Sequence, residues 1–86
     1  MKLIKIISVW CPSCLIMNPR YSELSKEFNI DIDEYDYDMD TEIVSKYKIG
    51  DILPVVIIED NNQELTRING EKSKKELNKN FEDLGV

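Results

Sequence analysis

An α/β domain built on a four-stranded mixed sheet is the fold class this sequence predicts, and three observations carry it. Two apolar runs rich in β-branched residues, Leu3 to Val9 and Ile52 to Ile58, read as strands buried on both faces. Segments with helical spacing of apolar residues lie between and after them, so strand and helix alternate along the chain. A polar turn, Asp60-Asn61-Asn62-Gln63, joins the second run to a return strand and marks a late hairpin.

The first strand gives way to Trp10-Cys11-Pro12-Ser13-Cys14. Pro12 suits the first position of a helix, where a missing N–H costs nothing. Leu15, Ile16, Met17, Tyr21, Leu24 and Phe28 then recur at helical spacing and predict a helix to about Phe28. Pro19 falls inside it and should kink it, by removing a hydrogen bond and clashing with the preceding turn. Residues 30–37 alternate as a second strand, with Ile30 and Ile32 on one face. Asp40 or Thr41 can cap a short helix carrying Ile43, Val44 and Tyr47, which Gly50-Asp51 breaks. Pro54 stands near the start of the second apolar run, where a strand tolerates proline. Glu64 to Ile68 returns from the hairpin, and Asn69-Gly70 turns the chain again. Ser73 and Glu76 fit a capping box for a last helix that buries Leu77, Phe81 and Leu84. The order is β-α-β-α-β-β-α in one domain over residues 1–86, with the first two strands parallel and the hairpin antiparallel.

Composition narrows the functional classes. The chain has 86 residues, 42% of them hydrophobic and 33% charged, as in a small soluble globular domain. Its start, Met1 to Ile7, has an apolar stretch split by Lys5 and too short for a signal peptide. A cytoplasmic monomer is expected, in a compartment where thiols stay reduced and C-x-x-C is more often catalytic than structural. A net charge of −6 argues against nucleic acid or an anionic membrane as partner.

Cys11 and Cys14 are the only cysteines, and the chain has no histidine. A structural zinc takes four Cys or His ligands, so one chain cannot complete that site. A passive disulfide over so short a loop would remove little unfolded-state entropy. Dithiol–disulfide cycling fits the spacing. Cys11 should face solvent as the nucleophile, its thiolate favoured by the free N–H groups of a helix start. Cys14, one turn in and more buried, should resolve the mixed disulfide. Pro12 and Ser13 between them tune the redox potential. From Asp31 to Glu42 seven of twelve residues are acidic. Asp36, Asp38 and Asp40 have the look of a calcium loop, but Thr41 and Tyr47 stand where an EF-hand needs glycine and glutamate. The run is read as a solvated acidic edge, with Tyr35 and Tyr37 packing inside it.

In register, these motifs resemble the thioredoxin-fold oxidoreductases over nearly the whole chain. Trp10-Cys11-x-x-Cys14 sits at a strand-to-helix turn, and Pro19 follows Cys11 by eight residues. Tyr47-Lys48-Ile49 precedes Ile52-Leu53-Pro54-Val55, and Gly70 stands three residues before Ser73. The resemblance implies a thioredoxin-like fold with Pro54 cis against the cysteines, where an ordinary strand-entry proline would be trans. Leu53 beside the sulfurs would then offer main-chain hydrogen bonds to an extended substrate. Trp10 is read as lining the docking surface, with a core aromatic as the alternative.

Size and element order resemble a glutaredoxin, without the extra N-terminal strand and helix of a full-length thioredoxin. Tryptophan before the first cysteine is thioredoxin-like, and proline after it is glutaredoxin-like. Where a glutaredoxin carries a Gly-Gly pair to admit glutathione, only Asn69-Gly70 stands. Thioredoxins also place a buried aspartate six residues before the nucleophile, partnered by a lysine from the next strand. Those positions here are Lys5 and Glu34. Either the acid–base pair is present with its charges exchanged, or Lys5 snorkels to the surface and Glu34 belongs to the acidic run.

The resemblance implies reduction of disulfide-containing protein substrates with no bound cofactor. Reducing equivalents would come from NADPH through a thioredoxin-reductase-like flavoprotein. A glutathione-dependent, glutaredoxin-like reductase is the alternative within the class. A non-catalytic binding module is the alternative outside it.

Overall fold

The computed structural model describes residues 1–84. Strand β1 (Lys2–Ile7) leads into α1 (Pro12–Phe28) and β2 (Asp31–Asp36), then α2 (Thr41–Lys46). The hairpin of β3 (Val55–Asp60) and β4 (Gln63–Asn69) follows, and α3 (Lys74–Asp83) closes the order. The sheet runs β2-β1-β3-β4, with β1 parallel to β2 and antiparallel to β3, and β3 antiparallel to β4. A four-stranded mixed sheet with three helices is the predicted architecture.

β1 and β3 are central, and their unbroken apolar sequences follow from burial on both faces. Leu3, Val56 and Ile58 pack on one face with Met17, Tyr21 and Leu24 of α1 and with Leu77 and Phe81 of α3. Ile4, Ile6, Val55 and Ile57 face the other way, against Ile43 and Val44 of α2. Phe28 stacks on Phe81 at a centroid distance of 5.4 Å, tying the end of α1 to α3. β2 lies at an edge, which explains why Ile32 alternates with acids.

Several local expectations are corrected. β1 ends at Ile7, and Val9 is 90% exposed in the turn that follows. Leu15 and Ile16 are also exposed, because α1 buries the stripe of Cys14, Met17, Tyr21 and Leu24, from which they stand aside. Ile52 is exposed and β3 begins only at Val55, since Pro54 has no N–H to give a ladder. Asp40 occupies the N-cap position of α2 but caps nothing. Its carboxylate instead accepts the Asp36 N–H at 2.8 Å. α2 ends at Lys46, ahead of the predicted break, and Lys48 takes the left-handed turn at φ 53°.

The hairpin loop is two residues long, Asn61 and Asn62, with φ of 52° and 64°. Asparagine tolerates that region, and a loop of this kind matches the twist of its strands. Ser73 caps α3 by accepting the Glu76 N–H at 3.2 Å, and its hydroxyl lies 3.2 Å from Glu76 Oε1. Ser73→Ala should lower unfolding stability by about 1 kcal/mol with an unchanged m-value in a urea titration. No loss would mean that α3 is held by packing alone.

Register brings four segments to one end of the sheet. Ile6 pairs with Val55 and Val55 with Asn69, so the exit of β1, the entry to β3 and the exit of β4 coincide. Ile7 pairs with Asp36, which brings the start of the acidic loop to the same end.

Candidate active site

At that end, Cys11 is the N-cap of α1, with extended backbone (φ −101°, ψ 107°) and Pro12 in the first turn. Its Sγ accepts the Cys14 N–H at 3.3 Å, so a helix-start amide that would otherwise lack a partner points at sulfur. Its thiol lies 3.6 Å from the Leu53 carbonyl, to which it can donate. Cys11 is 6% exposed and Cys14 1%, and both are free thiols. Cys11 is therefore the more accessible of the two, but it does not face solvent as predicted. The Leu53 carbonyl on its sulfur belongs to a segment 42 residues away and carries no local signal.

The Leu53-Pro54 bond is cis, and the Pro54 carbonyl accepts the Gly70 N–H at 2.8 Å. Gly70 has φ 76°, and a Cβ there would lie 3.1 Å from Ile52 Cγ2. Glycine alone meets both demands without strain.

Trp10 is exposed but not loose. Its indole N–H donates to Asp38 Oδ2 at 2.7 Å, and its ring meets Tyr37 edge-on at 6.1 Å. The Ser8 hydroxyl also donates to Asp38 Oδ2, at 3.3 Å. The neighbouring acids serve their own loop. Asp36 Oδ1 accepts the N–H groups of Asp38 and Met39, at 2.8 and 3.1 Å. Among the described residues, no three acidic or cysteine side chains are placed to hold a metal ion. Ser13, between the cysteines, donates its hydroxyl to Glu71 Oε2 at 3.2 Å.

Lys5 lies across from Glu34 in the parallel β1–β2 register, and its Nζ is 3.0 Å from Glu34 Oε1. The two ends differ in setting: the Lys5 side chain is 7% exposed and that of Glu34 51%. Burial pushes the Cys14 thiol up to about 11, and its hydrogen bond with Cys11 adds to this. A Ser8 backbone hydrogen bond and the Lys5 charge pull the other way.

Residues 1–83 match the thioredoxin family model. The chain belongs to the thioredoxin family. It is similar to thioredoxin 1 of Thermosipho africanus at 26% identity and a TM-score of 0.87, over 98% of this chain and 93% of that one. It is also similar to thioredoxin of Trypanosoma brucei brucei, at 25% identity and a TM-score of 0.85, over 96% and 73%. A thioredoxin of Nicotiana alata matches at 25% identity and 0.81, over 95% and 72%. No curated protein sequence matches the chain. Family and fold together make this protein a thiol–disulfide oxidoreductase in the general sense, with Cys11 and Cys14 as its adjacent thiols.

In this thioredoxin-family chain, Trp10, Cys11, Pro12, Ser13, Cys14, Leu53 and Pro54 gather at one sheet end. Lys5 and Glu34 pair lower down, along β1 and β2. The sequence offers no signal for Ser8 or Glu71, and it presents Asp38 only as part of a solvated acidic edge. Ser8 and Asp38 hold the Trp10 turn, and Glu71 meets Ser13. Asp38 is indistinguishable in sequence from its acidic neighbours, and only the register of Ile7 with Asp36 could have pointed to it.

Proposed function

We propose that this protein reduces protein disulfides by dithiol exchange, with Cys11 as nucleophile and Cys14 as resolving thiol. The observation that carries the reading is Cys11 at the helix start, its sulfur accepting the Cys14 N–H, with Cys14 buried one turn behind. As a thiolate, Cys11 attacks one sulfur of the client disulfide. A Cys11–client bond forms, the client S–S bond breaks, and the departing client sulfur takes up a proton. Cys14 then loses its proton and attacks Cys11 Sγ. The second client thiol leaves, and a Cys11–Cys14 disulfide holds the two electrons' worth of oxidation.

The Leu53 carbonyl, 3.6 Å from the Cys11 sulfur, supports docking of an extended client, because main chain lies beside the reacting atom. Exposed Val9, Trp10 and Ile52 flank the same end and give that client apolar contact. No bound cofactor is required. The oxidised protein is recharged in the cytoplasm by a flavoprotein of thioredoxin-reductase type that draws on NADPH.

Insulin reduction tests this. Turnover is expected with a thioredoxin reductase and NADPH, and none with Cys11→Ser. Turnover sustained by glutathione alone would overturn the assigned reductant.

A further inference from the structure

Glu71 follows Gly70 in the segment between β4 and α3, and two contacts to different parts of the site fix its place. The Gly70 N–H is bonded to the Pro54 carbonyl at 2.8 Å, and Glu71 Oε2 accepts the Ser13 hydroxyl at 3.2 Å. Ser13 stands between the two reacting cysteines, and Pro54 follows Leu53, whose carbonyl lies 3.6 Å from the Cys11 sulfur. A carboxylate is thereby fastened to the residue between Cys11 and Cys14. Among the described residues, no ion pair includes Glu71. The nearby Arg20 guanidinium is bonded instead to the Lys72 carbonyl at 2.6 Å. Glu71 itself is exposed, so its charge meets whatever approaches Ser13 from outside.

We propose that Glu71 is a specificity-determining residue, which favours disulfides flanked by cationic groups and disfavours those flanked by carboxylates. This rests on the dithiol-exchange reading above and names the class of disulfide preferred. The physical basis is Coulombic. A unit charge a few ångströms from the carboxylate gains or loses about 1 kcal/mol even at the dielectric of water, which is roughly fivefold in rate. Salt should shrink the effect, because both charges lie at the surface. A disulfide bearing carboxylates, as oxidised glutathione does, would meet Glu71 as a like charge.

The test uses three small disulfides of similar size: cystamine (dication), 2-hydroxyethyl disulfide (neutral) and dithiodiglycolate (dianion). Their intrinsic reactivities differ, so each rate is divided by that of the neutral compound and compared between variants. The cystamine-to-dithiodiglycolate ratio is expected to fall about fivefold or more in Glu71→Gln at low salt. It should fall further in Glu71→Lys, and the wild-type ratio should itself drop as salt rises. An unchanged ratio in both variants, with the neutral disulfide still reduced, would overturn the role of Glu71 and leave dithiol exchange standing. Failure of the wild type to reduce any of the three would overturn both. Binding of Glu71 to Ser13 for purely structural reasons would alter stability without altering the ratio.

Discussion

Cys14→Ser is expected to halt the reaction at a covalent adduct on Cys11, with steady turnover down roughly a thousandfold or more. The substitution spares what the first step uses. Cys11 keeps its place as N-cap of α1, and the Cys14 N–H that reaches its sulfur is main chain and survives the change. The variant loses only the second nucleophile. One client should be captured per protein molecule, and mass spectrometry of the mixture with a disulfide peptide reads the adduct directly. Cys14 is buried, so a hydroxyl in its place costs about 1–2 kcal/mol where it lacks a full set of partners. Cys14→Ala carries the same prediction without that penalty. Adduct on Cys14 in the Cys11→Ser protein, and none on Cys11, would reverse the assigned order.

Lys5→Met should slow the resolving step by about three- to tenfold between pH 7 and 9 and spare the first attack. Cys14 must lose its proton before it attacks, and burial pushes that thiol up to about 11 while the Lys5 charge draws it down. Without the ammonium the thiol rises further, and at any pH below its midpoint the thiolate fraction falls about tenfold per unit. The rate of resolution therefore climbs with pH in both proteins, and the climb is displaced upward in the variant. Decay of the mixed disulfide, followed by rapid mixing from pH 6 to 9, measures it. Identical curves would remove Lys5 from the mechanism.

Stability separates this role from a structural one. Lys5 is a buried ammonium whose partner, Glu34, is half exposed, and methionine of similar length removes the desolvation of the charge. Lys5→Met should hold or raise the melting temperature while resolution slows. Glu34→Gln should do the reverse and destabilise by about 1–2 kcal/mol, because it leaves the buried cation unpaired. The thiol itself sets an alkaline limit. Its folded pKa lies above its ordinary value of 9.0, so its contribution is present below pH 9 and is lost as pH rises through about 11.

Much of this was legible in the sequence where one residue type admits one local structure. Ile4, Ile6, Val56 and Ile58 mark strands covered on both faces, Asn61-Asn62 marks a two-residue hairpin loop, and Ser73 marks a helix start. The cysteine pair was legible for the same reason, since spacing and a following proline place it at a helix N-terminus. What stayed hidden depends on distant chain. Val9 and Ile52 read as core because composition cannot tell a buried strand residue from one at the rim of a site. The Trp10–Asp38 and Ser13–Glu71 bonds span 28 and 58 residues, and no local pattern announces them. Asp40 read as a cap from its place alone, yet its carboxylate found a nearer donor in the Asp36 N–H.

On the ribosome, β1, α1 and β2 emerge well before β3. Because the sheet runs β2-β1-β3-β4, the nascent unit can pair only one side of β1, and the other side stays open until residues 55–60 arrive. That open side belongs to an apolar strand, the kind of edge that recruits foreign strands. The protein thus passes through a stage of synthesis in which its future centre is an outer border, and a chaperone or the tunnel mouth has reason to shield it.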